Sequence, residues 1–268
     1  MKSKALYCLL GLLLVLAPAC DKDGSFNVFG IEDDRNLGLQ VSEEIARDPT
    51  QYPLLPETGR NGQNERAYGH LRRITNRVLN SGRVQYQNEF VWQTKIIVDD
   101  KVNNAFCTPG GYIYVYTGLI KYLDTEDQLA GVLGHEIAHA DKRHTTDNLT
   151  REYGIQLLLE VALGQQSQGT LVNIARSLTS LRYSRSAERE ADDASVTYLC
   201  STGYRADGAA GFFEKMEGEG SAAPPEFLST HPNPGDRVQA IRSKAQREGC
   251  PLTPATDAQY PDFKSRLP

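Results

Sequence analysis

The chain has 268 residues, 40% of them hydrophobic and 24% charged, with a formal net charge of −5. That balance suits a globular protein with a real core and excludes disordered, collagenous and coiled-coil classes. Acidic residues outnumber basic ones, 34 to 29, which leaves no electrostatic footprint for nucleic acid, and five cysteines are too few for a small disulfide scaffold.

Residues 1–19 read as an export signal. Lys2 and Lys4 form the positive end, and the uncharged stretch after them is shorter than the roughly 20 residues that span a bilayer. Ala17-Pro18-Ala19 precedes Cys20. Cleavage before Cys20 would free its thiol for lipidation, giving a lipid-anchored envelope protein; ordinary cleavage with Cys20 incidental is the alternative. Residues 20–31 then read as a tether. Leu37, Val41 and Ile45 predict a first helix, and Leu71, Ile74 and Val78 a second, stopped by Asn80-Ser81-Gly82. Residues 49–64 read as loop. Residues 90–98 and 112–117 read as strands, separated by the Pro109-Gly110-Gly111 turn.

Beyond them the chain reads as helical. Thr125 with Gln128 forms a capping box for a helix through about Arg143. Residues 148–163, 171–181, 184–200, 207–216 and 235–248 follow as helices, with residues 218–225 a loop and residues 251–268 an irregular tail. The sum is an α+β protein, a small β element among many helices.

The strongest chemical signal is His135-Glu136-Ile137-Ala138-His139. On a helix the two histidines lie one turn apart on one face, where both imidazoles can grip one Zn²⁺. Glu136 beside them is placed to take a proton from a water on the metal. His144 falls one residue short of a metzincin's third histidine and reads as a helix end, where histidine suits the dipole. Glu188 and Asp192 share a helix face by their spacing, so one carboxylate can bind metal and the other can hold a ligand imidazole. Their alternative role is a solvated face with salt bridges to Arg185 and Arg189. Glu190 points elsewhere on that helix. Cys200 and Cys250 are expected to pair if the compartment oxidises; two unpaired thiols are the alternative.

Several motifs together resemble the zinc endopeptidases that include the CAAX prenyl protease, HtpX and BepA. They are Asn104-Ala105-Phe106, Pro109-Gly110-Gly111-Tyr112-Ile113-Tyr114-Val115, Gly118-Leu119-Ile120, the His135–His139 motif, Ser184-Arg185 with Glu188 and Ala191-Asp192, and Thr230-His231-Pro232 with Arg237. The resemblance implies a mostly helical, zincin-like (gluzincin) domain over residues 32–250, with a small sheet beside the active-site helix. It implies one Zn²⁺ per chain on His135, His139 and Glu188, with Glu136 as general base. Asp192 would orient a ligand histidine, with Arg237 behind it. Residues 112–116 would be an edge strand, where Gly111, Tyr112, Ile113 and Tyr114 receive an extended substrate. His231 would block the metal, assist the reaction, or be a plain loop histidine. The implied function is a periplasm-facing envelope endopeptidase acting on unfolded or misassembled proteins, anchored to the inner or outer membrane. A chaperone-like binding module with a latent zinc site is the alternative.

Overall fold

The computed structural model describes residues 29–218, 226–232, 235–253 and 259–268. The export signal, Cys20 and the tether before Phe29 lie outside the described residues, as do residues 219–225 of the expected loop.

Helix α1 (Ile31–Arg47) buries Leu37, Val41 and Ile45, the expected stripe. Helix α2 (Gln63–Leu79) does the same with Leu71, Ile74 and Val78. Three strands follow: β1 (Gln93–Ile97), β2 (Ala105–Cys107) and β3 (Tyr112–Tyr116). They form one sheet in the order β1-β3-β2, with β1 parallel and β2 antiparallel to β3. The remaining helices are α3 (Thr117–Tyr122), α4 (Glu126–Asp141), α5 (His144–Tyr153), α6 (Ile155–Ala162), α7 (Gln168–Leu178), α8 (Arg185–Leu199), α9 (Gly208–Gly218), α10 (Glu226–Thr230), α11 (Arg237–Arg247) and α12 (Tyr260–Arg266).

The sheet divides two apolar clusters by its two-residue alternation. Ile96, Ala105, Cys107, Ile113 and Val115 face a core built with α2, α4, α8, α9 and α12. Ile97, Phe106, Tyr112, Tyr114 and Tyr116 face a second core built with α1, α6 and α7. Every residue of β3 is therefore buried. This is the expected α+β architecture, mostly helical, with the small sheet against α4. No helix among the described residues is long and apolar enough to cross a membrane.

Four details depart from the sequence expectations. The 148–163 segment is two helices, because Gly154 adopts φ 81° and turns the chain between α5 and α6. Strand β2 is only three residues long, too short to show a period. The C-terminal tail is not irregular: α12 begins with Pro261 in its first turn, a position where proline's missing N–H costs nothing. Phe263 and Tyr260 of α12 are buried in the core, so the tail belongs to the domain. Finally, β3 is the central strand and not an edge. Its residues 112–116 pair with β1 and its residues 113–115 with β2, so no peptide can add there.

Helix α4 approaches its neighbours more closely than side chains permit. A Cβ on Gly131 would lie 2.1 Å from the Ala209 nitrogen of α9, and one on Gly134 would lie 2.7 Å from Ser195 Oγ of α8. Ser195 Oγ uses that proximity to donate to the Gly131 carbonyl at 2.9 Å. Cys200 and Cys250 form a disulfide, which ties the end of α8 to the end of α11.

Candidate metal centre

The Thr125 side chain accepts from the Gln128 N–H and starts α4 as the capping box predicts. Ten residues on, α4 brings His135 and His139 together, with their Nε2 atoms 2.9 Å apart. Helix α8, capped by Ser184, carries Glu188 to the same point. Glu188 Oε2 lies 3.5 Å from His135 Nε2, and its Oε1 lies 3.4 Å from His139 Nε2. His231, just past α10, completes the group: its Nδ1 is 3.2 Å from His135 Nε2 and 3.1 Å from Glu188 Oε1. One ligand atom from each of the four residues falls within 4.8 Å of all the others, and all four residues are buried.

That spacing suits a small tetrahedral cation. Donors held about 2.0–2.2 Å from a zinc ion stand about 3.3 Å from one another. Two imidazole nitrogens and a carboxylate are also the donor types zinc prefers in catalytic sites.

Glu136 is fully buried, and neither of its carboxylate oxygens has a hydrogen-bond partner among the described residues. Burial raises its pKa, outweighing the attraction of His231 and His135. Its Oε1 stands 3.4 Å from His231 Nε2. A buried, unbonded carboxylate beside a donor cluster is poised to accept a proton.

His135 is held from behind. Asp192 Oδ1 lies 2.9 Å from His135 Nδ1. Arg237, itself buried, fixes Asp192 through two hydrogen bonds and reaches Glu188 Oε2 at 2.8 Å. Burial and Arg237 push the His135 pKa down, but Asp192 and Glu188 outweigh them and carry it up to about 9. Burial and the neighbouring His135 hold His139 well below the usual histidine range. Glu188 is ionised far below the usual carboxylate range, because His231, His135 and His139 overcome its burial. A neutral His139 and an ionised Glu188 are the forms that bind a metal.

His144 does not serve as the C-terminal end of the histidine helix. Helix α4 stops at Asp141, and Arg143 turns the chain at φ 62°. His144 opens α5 and faces His139, with their Nδ1 atoms 3.1 Å apart. Glu190, which the helical angle keeps off the Glu188 face, lies 3.4 Å from His144 Nε2. That hydrogen bond holds Glu190 below the usual carboxylate range.

Sequence reasoning missed Tyr183. Its ring stacks on His139 with centroids 3.8 Å apart, and its hydroxyl pairs with Thr145 Oγ1 at 2.9 Å. Thr145 in turn meets Cys107 Sγ of β2 at 3.3 Å. The Tyr183 N–H also donates to the Thr230 carbonyl at 3.3 Å, linking the two segments over the site. No local pattern marks Tyr183; only its place before Ser184-Arg185 hinted at it. The strand beside the site with an outer edge is β2, not the expected residues 112–116.

Comparison with known proteins agrees with this geometry. The sequence pattern of "Peptidase family M48" matches residues 65–245. The mitochondrial metalloendopeptidase OMA1 of Arabidopsis thaliana is 36% identical over 151 residues, covering 56% of this chain and 31% of its own. A putative beta-barrel assembly-enhancing protease of Vibrio cholerae is 31% identical over 188 residues, covering 65% of this chain and 39% of its own. The metalloprotease YcaL of Escherichia coli K12 is 29% identical over 147 residues, covering 53% and 58%. The chain thus spans less than two thirds of the length of these relatives.

Proposed function

The chain belongs to peptidase family M48, and from that membership we propose that it is a zinc-dependent endopeptidase of the bacterial cell envelope. Its substrates are then unfolded or misassembled envelope proteins, and lipidated Cys20 anchors it facing the periplasm. Relatives named as beta-barrel assembly-enhancing proteases support the envelope setting.

One observation carries the catalytic reading. The unbonded Glu136 carboxylate lies beside a buried cluster of three imidazoles and a carboxylate spaced for one small cation. His135, His139 and Glu188 would hold the zinc. When bound, zinc would polarise the scissile carbonyl and lower the pKa of water to about 7. Glu136 would take the proton of the attacking water and return it to the leaving amine. Asp192 and Arg237 keep His135 turned toward the metal. His231 stands at the fourth corner of the cluster, where an attacking water is needed.

For the substrate, the outer edge of β2 replaces the expected strand. Residues 105–107 lie against α4, and an extended peptide pairing there would run past the zinc ligands. Both β2 and the donor cluster are buried. A pure binding module has no use for the unbonded Glu136 carboxylate, which weighs against the chaperone-like reading.

Glu136→Gln is the test. Metal analysis should find one zinc per chain in both the wild type and the variant. Casein cleavage should fall by about 10²–10⁴-fold, the usual worth of a general base. A Glu136→Gln protein that still digests casein at the wild-type rate sinks this assignment.

A further inference from the structure

His139 turns its Nε2 toward the donor cluster and its Nδ1 toward His144. His144 Nε2 in turn faces Glu190 Oε2, so a carboxylate and an imidazole stand in line behind a metal-site histidine. Two Nδ1 atoms 3.1 Å apart need one N–H and one lone pair between them. An ionised carboxylate only accepts, so the His144 Nε2 that faces Glu190 carries a proton. His144 Nδ1 is then the acceptor, and His139 carries its own proton on Nδ1. That tautomer leaves the His139 Nε2 lone pair free for a metal.

The backbone builds this line deliberately. Arg143 takes φ 62° and swings His144 back over the last turn of α4. The Arg143 side chain is pinned by Asp34 Oδ2 at 2.5 Å and by the Phe29 carbonyl at 2.6 Å. His135 receives its carboxylate directly, from Asp192, because Asp192 lies on the same face of α8 as Glu188. Glu190 lies on another face of α8 and reaches His139 only through His144.

We propose that His144 and Glu190 are positioning residues that fix the tautomer and ring orientation of His139, so that α8 supplies carboxylates to the ligand set at three depths. The inference rests on the metal-centre reading above.

The test measures Zn²⁺ affinity of the full chain by competition with a chromophoric chelator, together with the visible spectrum of the Co²⁺-loaded protein. A wild type that binds no Zn²⁺ overturns the metal centre and this line with it. Given wild-type binding, His144→Leu should weaken affinity by about 10–100-fold and shift the Co²⁺ bands. His144→Asn keeps an acceptor for the His139 Nδ1–H and should recover most of that loss. Glu190 is 44% exposed, so Glu190→Ala leaves the core intact even where His144→Leu fails to fold. Glu190→Ala should weaken binding several-fold alone and add nothing in the His144→Leu background. Wild-type affinity in Glu190→Ala overturns the proposal. Equal losses in His144→Leu and His144→Asn, or additive losses in the double variant, overturn it while leaving the metal centre standing.

Discussion

Arg237 grips Asp192 with two hydrogen bonds, Nε to Oδ2 at 2.6 Å and Nη2 to Oδ1 at 2.8 Å, and the guanidinium has no exposure to solvent. The same Nη2 reaches Glu188 Oε2 at 2.8 Å, so one cation answers two buried carboxylates. Both acids are ionised below their ordinary range despite their burial, Asp192 chiefly through Arg237. Arg237→Met removes the cation and leaves those charges uncompensated. Breaking a buried pair this way costs about 3–5 kcal/mol. Urea unfolding should show that loss, and Asp192→Asn in the same chain should recover part of it. A loss under about 1 kcal/mol, the scale of an exposed pair, would show that the site does not depend on this clamp.

A further buried acid sets an acid limit away from the metal centre. Glu126, at the start of α4, accepts from Arg73 at 2.6 Å on each oxygen and from the Tyr204 hydroxyl at 2.6 Å. Burial raises its pKa, but the hydrogen bonds from Arg73 and Tyr204 outweigh burial and leave it lowered. A carboxylate with a lowered folded pKa stabilises the protein above its unfolded pKa, about 4.3, and loses that contribution as pH falls through the folded value. Glu126→Gln should therefore cost about 1.5–3 kcal/mol at neutral pH, and the gap should close below pH 4 or so. Melting curves of both proteins from pH 7 to pH 3 check this. A gap that widens toward low pH would contradict the sign.

The disulfide was open in the sequence and is present in the fold. Cys200 follows the helix that carries Glu188 and Asp192, and Cys250 follows the helix that Arg237 begins. The bond closes a loop of 50 residues and should stabilise by about 2–4 kcal/mol. Of Cys107, Cys200 and Cys250, only Cys107 should react with a thiol reagent in denatured, unreduced protein. Three reactive thiols would refute the pairing. Reduction should lower the melting temperature and loosen Arg237 from Asp192, because the ends of α8 and α11 lose their covalent tie.

The candidate donors on α4 and α8 were legible because helical spacing is a local property. The His135–His139 repeat places both rings on one face, and the Glu188–Asp192 repeat does the same for two acids. Their meeting was legible only through resemblance to a family. What the sequence hid depends on long-range packing. Tyr183 meets His139 through a stack across 44 positions of chain that no periodicity encodes. His144 looked like a helix terminus because a left-handed Arg143 cannot be read from side-chain type. The edge strand was misplaced because the resemblance put it at residues 112–116, which pair on both sides here. Residues 112–116 have a strong strand pattern, while β2, the edge strand beside the site, is three residues without one. Proline in the first turn of α12 likewise resembled a breaker.

His231 stands at the fourth corner of the donor cluster. Its Nδ1 lies 3.2 Å from His135 Nε2 and 3.1 Å from Glu188, inside the donor cluster. Its ring stacks on Phe227 with centroids 4.3 Å apart, and Tyr183 stacks on its other neighbour, His139. His231 is 1% exposed, and the Tyr183 N–H holds the preceding Thr230 carbonyl. A fourth protein donor at that corner occupies the position where a catalytic zinc keeps its water. The arrangement therefore matches a self-blocked resting state. His231→Ala should open the corner, keep the zinc on three ligands and raise the rate of casein cleavage. If His231 instead steadied the oxyanion, the same change would lower the rate, by about 10²–10³-fold. Casein turnover with parallel zinc analysis separates these outcomes by sign. Unchanged turnover with unchanged metal affinity would reduce His231 to a packed histidine of the α10 segment.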